Sequence, residues 1–286
     1  MRTRFPLRCY VEGVGAHARQ HTSNALFSER RRKILEDLQA NKNDKSHAGC
    51  IDPRVYPLVC FINQSFSCYV TSSSCSGRVS LFHKGQLSHS SADIAGSVGP
   101  QSRKRGAFGR GPLFQSHDPL LDVEAVVEQQ LVPALKGFDD WRRQLPDSLQ
   151  LEKERSQTGL FDFRLYETEL LELKFEPMII HIQCETIEDA ARLLQCAGES
   201  GQMESGILSC SRGAMDQRKI TCCITSSLRI ALPLFAQGRW LLADSCFSSA
   251  DWQALLKNTI THINVLFEIN ERRRERFAEE VKKRLL

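Results

Sequence analysis

Apolar positions recur at helical or strand spacing from Phe27 onward, and their rhythm divides the chain into elements. Over Phe27–Leu38, Ile34, Leu35 and Leu38 share one face of a helix that also carries the basic run Arg30-Arg31-Arg32-Lys33. A polar turn over 41–49 follows. Asp52-Pro53 then predicts a second helix to about Asn63, with aspartate as N-cap, proline in the first turn, and Val55, Leu58, Val59 and Ile62 on its apolar face. Two short strands, Ser67–Val70 and Arg78–Phe82, are expected on either side of the small polar stretch Thr71–Gly77. Leu113–Ser116 reads as a strand, and Asp118-Pro119 as the start of a helix running to about Lys136. Further on, Met178–Cys184 alternates as a strand. Thr186-x-x-Asp189 forms a capping box before a helix over Ile187–Glu199, which Gly201 ends. Gly206–Ser209 and Lys219–Thr225 are expected to form a hairpin turning at Arg212-Gly213, and Leu228–Leu232 another strand. Asp251 caps a long final helix whose face runs through Trp252, Leu256, Ile260, Ile263, Phe267, Phe277 and Val281.

This order predicts an α+β fold, with a mixed or largely antiparallel sheet packed with helices and a long C-terminal helix. No G-x-G-x-x-G follows a strand, so a Rossmann architecture is not expected. Residues 1–26 form a basic extension and 27–286 a single domain. Two stretches within it look inserted: 84–111, rich in Gly, Ser and basic residues, and the polar 138–170.

Composition narrows the class. Hydrophobic residues make up 41% and charged residues 25%, the balance of an ordinary globular chain. No apolar run approaches the roughly 20 residues of a membrane helix, so no membrane partner is expected. The net charge of +4 suits a polyanionic partner without requiring one. The 11 cysteines have no C-x-x-C spacing, which argues against a disulfide scaffold and a zinc ribbon alike. Reduced thiols in a cytoplasmic protein, with no metal, are expected. The Arg-rich, acid-poor N-terminus leaves an organellar location as the alternative.

The residues available for chemistry fall in a few places. Small residues at Ser74-Cys75-Ser76-Gly77 can turn backbone N–H groups toward an anion, and Arg78 adds a planar fork for carboxylate or phosphate. A serine-rich hairpin turn has the same appearance. Asp44 and Asp52 can accept a proton, although Asp52 also stands where an N-cap belongs. His117, Glu176 and His181 lie at or on strands. A Cys75–His117–Asp44 arrangement would suit a thiol nucleophile. The basic runs Arg30–Lys33, Arg103–Arg105 and Arg272–Arg274 can grip phosphates or simply be solvated.

In order along the chain, these segments resemble the wybutosine-synthesising protein 3 family. Asp44-Lys45-Ser46-His47-Ala48-Gly49-Cys50-Ile51-Asp52 is similar to its D-x-S-x-x-G-x-[IV]-D element, and Thr71–Arg78 to its T-[ST]-S-S-C-[SA]-G-R element. His117 falls at its serine/threonine-histidine pair. Lys174-Phe175-Glu176-Pro177 with His181 resembles its K-F-E-P-x-[IVL]-x-H strand, and Ser205-Gly206-Ile207 its S-G-I turn. Two positions depart: the tryptophan usual before the histidine is absent from Gly111–Gln115, and an arginine usual on a late strand is replaced near Thr225.

The resemblance implies an S-adenosylmethionine-dependent methyltransferase of tRNA modification. Its target would be N4 of the 4-demethylwyosine derivative 3′ of the anticodon in phenylalanine tRNA, a step of wybutosine biosynthesis. Proton transfer is then expected of Asp44 or Asp52, with His117 or Glu176 next in line. Methyl-donor binding would involve Ser74, Cys75, Ser76, Gly77, Arg78, Ser205 and Gly206, and RNA contacts Arg31, Arg32, Lys33 and His181. The two departures keep a non-catalytic tRNA-binding module as an alternative, and Cys75 keeps a thiol enzyme as another.

Overall fold

A computed structural model describes residues 25–39, 51–84, 111–144, 170–211, 219–236, 239–242 and 246–286. In chain order the elements are α1 (Ala25–Gln39), α2 (Tyr56–Ser65), β1 (Tyr69–His83), β2 (Gly111–Ser116), α3 (Val123–Val126), a π-helical turn (Val127–Leu131), α4 (Val132–Arg143), β3 (Leu170–Cys184) and α5 (Ile187–Glu199). There follow β4 (Gly206–Cys210), β5 (Ile220–Thr225), β6 (Ile230–Ala236), β7 (Arg239–Trp240) and α6 (Ala250–Leu285). The strands form one seven-stranded sheet in the order β2-β1-β3-β5-β4, with β6 paired to both β3 and β7. The pairs β1/β2, β3/β5, β3/β6, β4/β5 and β6/β7 are antiparallel. The α+β class and the long C-terminal helix stand as the pattern predicts. Among the described residues no helix is long and apolar enough to cross a membrane, and every cysteine is a free thiol.

Two compact units divide the chain. The first comprises Met1–Ser76, Met178–Ser227 and Arg273–Leu286, the second Gly77–Pro177 and Leu228–Arg272. In the first, α2 gives Val55, Leu58, Val59 and Ile62 to a core shared with Met178, Ile180 and Ile182 of β3, Leu193 and Ala197 of α5, and Phe277 and Val281 of α6. The Thr186/Asp189 capping box is present in full, Thr186 Oγ1 accepting from Asp189 N at 3.0 Å and Asp189 Oδ2 accepting from Thr186 N at 3.2 Å. Arg31 of α1 donates to the carbonyls of Asn63 (2.6 Å), Phe66 and Tyr69 (3.3 Å each), so one guanidinium closes the C-terminal end of α2 and the start of β1.

The second unit is built around aromatic rings. Trp252, Leu256, Ile260, Ile263 and Phe267 form the buried face of α6 there. Phe138 of α4 makes edge contacts with Phe235 and Trp240. The Trp240 indole N–H donates to Asp139 at 2.8 Å, which gives its polar end a partner. The π-helical turn immediately precedes Val132-Pro133. Proline has no N–H to return and its ring crowds the carbonyl one turn back, so the widened turn lets the helix continue without a break. In β6, Pro233 faces Glu172 where the register of β3 slips by a bulge, the place where a missing donor costs least.

Several expectations are corrected. Thr71–Gly77 is not a hairpin turn: β1 is one 15-residue strand running through it. Helix α2 begins at Tyr56 with Pro57 in its first turn, and its N-cap Val55 has no side-chain cap, so Asp52 is not the cap. The helix after β2 is capped by Asp122, whose Oδ1 accepts from Ala125 N at 2.9 Å, rather than by Asp118. Phe138 is fully buried in a helix that reaches Arg143, so the polar linker does not start at 138. Strand β3 begins at Leu170, ahead of Pro177, because its partner changes from β6 to β5 around that proline. Ser249, not Asp251, precedes the final helix and accepts from Gln253 N at 3.0 Å. Strand β7 has no counterpart among the elements that the pattern predicts. The polar turn 41–49, most of 84–111 and of 138–170, and the turn at Arg212-Gly213 lie outside the described residues.

Two substitutions test these assignments by urea denaturation. Phe138→Ala should cost about 3–5 kcal/mol as a buried aromatic removed from a core; a linker residue would cost almost nothing. Thr186→Ala should cost about 1 kcal/mol through the missing cap, with the cooperativity of unfolding unchanged.

Candidate active site

In the first unit, strand β1 brings the serines beside two of the expected site residues. Asp52 lies in the turn before α2, and its Oδ1 accepts from Arg54 N at 3.0 Å. Its Oδ2 accepts from Ser76 N at 3.0 Å and from the Ser76 hydroxyl. One carboxylate oxygen thus closes the turn leading into α2 while the other binds β1, and Ser76 is buried beneath it. Ser72 Oγ donates to the His181 carbonyl at 3.2 Å, and Ser73 Oγ meets His181 Nδ1 at 2.7 Å. Burial lowers the His181 imidazole below its usual range, so it is neutral near pH 7 and the Ser73 hydroxyl can donate to it. Ser205 Oγ donates to Thr225 O at 3.2 Å and accepts from Thr225 N at 3.0 Å, which joins the loop before β4 to the end of β5. Gly206 opens β4 opposite Cys223, with open space where a side chain would stand. Ser74 and Cys75 are half-buried on β1.

The basic residues of α1 divide by role. Arg31 is half-buried and committed to three carbonyls, and burial lowers its pKa. Arg32 pairs with Glu29 at 2.8 Å and Glu36 at 2.6 Å, and Lys33 with Glu29 at 3.6 Å, all on an exposed helix face.

In the second unit, Gly77 has a φ of 111°, a conformation that side chains with a Cβ rarely adopt. Its carbonyl faces His117 Nδ1 at 3.1 Å, and His117 Nε2 lies 3.1 Å from the Gln115 amide nitrogen. A carbonyl can only accept, so Nδ1 carries the proton. In the neutral ring Nε2 then holds the lone pair and accepts from Gln115. Arg78 Nε donates to Glu176 Oε2 at 2.8 Å, and Lys174 Nζ reaches Glu176 Oε1 at 3.3 Å. Burial alone would raise the Glu176 carboxyl. The Arg78 hydrogen bond and the charges of Arg78 and Lys174 outweigh that, and the net shift is downward. Glu176 is therefore a carboxylate committed to two cations, a poor proton acceptor at neutral pH. The terminal nitrogens of Arg78 have no protein acceptor among the described residues, so the guanidinium can still face an anion.

The structure thus pairs Asp52 with Ser76, Ser73 with His181, Gly77 with His117, and Arg78 with Glu176. Asp44 lies outside the described residues. Gln115, the residue beside His117 Nε2, carries no distinguishing sequence signal: it is a polar residue two before the histidine on an edge strand. Thr225, where the family pattern has an arginine nearby, anchors Ser205 through its backbone.

A family model described as Methyltransferase TYW3 matches residues 29–283. Among curated proteins, tRNA wybutosine-synthesizing protein 3 of Schizosaccharomyces pombe is 29% identical over 208 residues, 73% of this chain and 68% of that protein. The protein of the same name from Saccharomyces cerevisiae is 32% identical over 183 residues, 63% of this chain and 58% of its own length. tRNA wybutosine-synthesizing protein 2/3/4 of Arabidopsis thaliana is 29% identical over 208 residues, only 17% of that longer protein. Among solved structures, the PH1069 protein from Pyrococcus horikoshii has the same fold, with a TM-score of 0.55 at 18% identity, covering 90% of this chain and 97% of that one. With a match running from residue 29 to residue 283, the chain belongs to the Methyltransferase TYW3 family.

Proposed function

We propose that this chain transfers a methyl group from S-adenosylmethionine to N4 of the 4-demethylwyosine derivative next to the anticodon of phenylalanine tRNA. The family description supports the methyl-transfer class, and the relatives' names support tRNA and the wybutosine route. The observation that carries the reading at residue level is the contact of His117 Nδ1 with the Gly77 carbonyl, which leaves Nε2 as a base.

A nitrogen that gains a methyl group must lose a proton, and His117 Nε2 is the described group best prepared to take it. Gln115 gives up its hydrogen bond as the proton arrives. Bound S-adenosylmethionine supplies an electrophilic methyl on a sulfonium. Of the Ser74–Arg78 stretch, Arg78 fits an anionic group of that donor or of the RNA best, because Ser76 has already given its N–H and hydroxyl to Asp52. Glu176 orients the Arg78 fork, and Asp52 is hydrogen-bonded to the strand at Ser76. Ser205 and Gly206 border a second loop able to hold the donor. Arg32 and Lys33 are placed to meet phosphates, with Arg31 anchoring their helix and His181 available for a base edge.

The direct test incubates purified protein and S-adenosylmethionine with phenylalanine tRNA from cells lacking the N4-methylation step, followed by nucleoside mass spectrometry. One added methyl on the tricyclic base is expected. An unmodified base beside an active relative overturns the reading in favour of a tRNA-binding module. With that assay, His117→Ala should lower kcat by about 10²–10⁴-fold, whereas Arg78→Ala should mainly raise KM, by about 10–100-fold, the worth of a charge-assisted hydrogen bond. A Cys75→Ala variant should remain active; its inactivity would bring back the thiol reading. Replacing both Arg32 and Lys33 with alanine should make tRNA affinity less sensitive to salt, the slope falling by about one unit for each phosphate that is no longer neutralised. An unchanged slope would show that their partners are Glu29 and Glu36 alone.

A further inference from the structure

Within the first unit, the loop after α5 collects polar groups that the protein itself does not satisfy. Gln202 is 1% exposed, and neither its Oε1 nor its Nε2 has a hydrogen-bond partner. Ser226 is fully buried and its Oγ is likewise unpartnered. Arg273 of α6 has a buried, unpartnered Nη1, and no described residue accepts from its guanidinium. Folded proteins pair nearly all such atoms, and a buried amide lacking both partners is costly.

The three groups sit on segments joined to one another. Gly201, with φ +83°, lets the chain turn out of α5, and a Cβ there would stand 3.3 Å from Arg273 Nε, so the guanidinium lies directly on that turn. Gln202 is the next residue. Its carbonyl accepts from Ser205 N at 3.2 Å, and Ser205 in turn clasps both backbone groups of Thr225, the residue before Ser226. The carboxyl end of α5 favours a nearby cation through its dipole but takes none of its protons.

We propose that Gln202, Ser226 and Arg273 form a cradle for an α-aminocarboxylate group. The guanidinium and the Gln202 amide N–H suit a carboxylate. The Gln202 Oε1 needs a donor, which an adjacent ammonium supplies. The Ser226 hydroxyl can serve either end. Phosphate fits less well, because it offers only acceptors and would leave Gln202 Oε1 unsatisfied. The assignment rests on the proposed methyl transfer, whose two reactants both carry this group: the methionine portion of the donor and the aminocarboxypropyl side chain of the tricyclic base.

The test is binding, measured by calorimetry with the full chain, for wild type, Gln202→Leu and Arg273→Ala. Two matched probe pairs separate the sources. The first is S-adenosylmethionine against its decarboxylated form. The second is phenylalanine tRNA with and without the aminocarboxypropyl group on its tricyclic base. Both variants should weaken binding of the carboxylate-bearing member of one pair by about 10–100-fold and leave its counterpart unchanged, which names the source. Gln202→Leu should also raise the Tm of the ligand-free protein, since it removes an unsatisfied buried amide, so its loss of binding would not be a loss of fold. Variants that bind all four probes like wild type overturn the cradle and leave the methyl-transfer reading intact, with internal water as the partner of these groups. A folded wild type that binds neither donor nor tRNA overturns both.

Discussion

The left-handed backbone at Gly77 is the constraint on which the candidate residues depend. Any residue with a Cβ would be strained at this φ. In the first unit, Ser76 is buried under the Asp52 carboxylate. In the second, the Gly77 carbonyl sets the proton position on His117, and Arg78 engages Glu176. The small residues before Gly77 serve the same geometry. They let a strand carry donors at successive positions without bulk, so hydroxyls reach His181 and Asp52 from one segment.

Charge in this chain is largely answered from within. Glu176 is held toward the ionised form by Arg78 and Lys174, whose hydrogen bonds and charges outweigh its burial. Arg31 illustrates the same economy: a guanidinium in a basic run turns inward to close a helix end, while its neighbours Arg32 and Lys33 remain at the surface with exposed acidic partners. Exposed pairs of that kind contribute little to stability. The buried atoms without partners stand apart from this pattern. A fold that satisfies Trp240, Asp52 and Ser205 so completely leaves Gln202, in the loop after α5, and Arg273, on α6 beside Gly201, open.

The sequence by itself determined the elements whose signals are local. The capping box at Thr186 and Asp189 needs only four consecutive residues, and helix α5 has the bounds that its pattern predicts. The long face from Trp252 to Val281 repeats often enough to survive any error at its ends. The ordered motifs around Asp52, Arg78, His117, Glu176 and Ser205 likewise carried the family. Only the tertiary structure decided what those residues touch. Asp52-Pro53 looks like a helix start, but the carboxylate has a stronger use in holding β1, and Pro57 opens the helix instead. Thr71–Gly77 looks like a turn because serine and glycine favour turns locally, yet the stretch stays extended within β1, its Thr71 and Ser76 N–H groups donating to the Asn63 and Asp52 side chains. Phe138 looks like linker until Trp240 and Phe235 arrive from far along the chain. The tautomer of His117, the orientation of Arg78 and the unsatisfied amide of Gln202 depend on partners distant in the chain. No local spacing encodes them, because a hydrogen bond is chosen by what folding brings within reach.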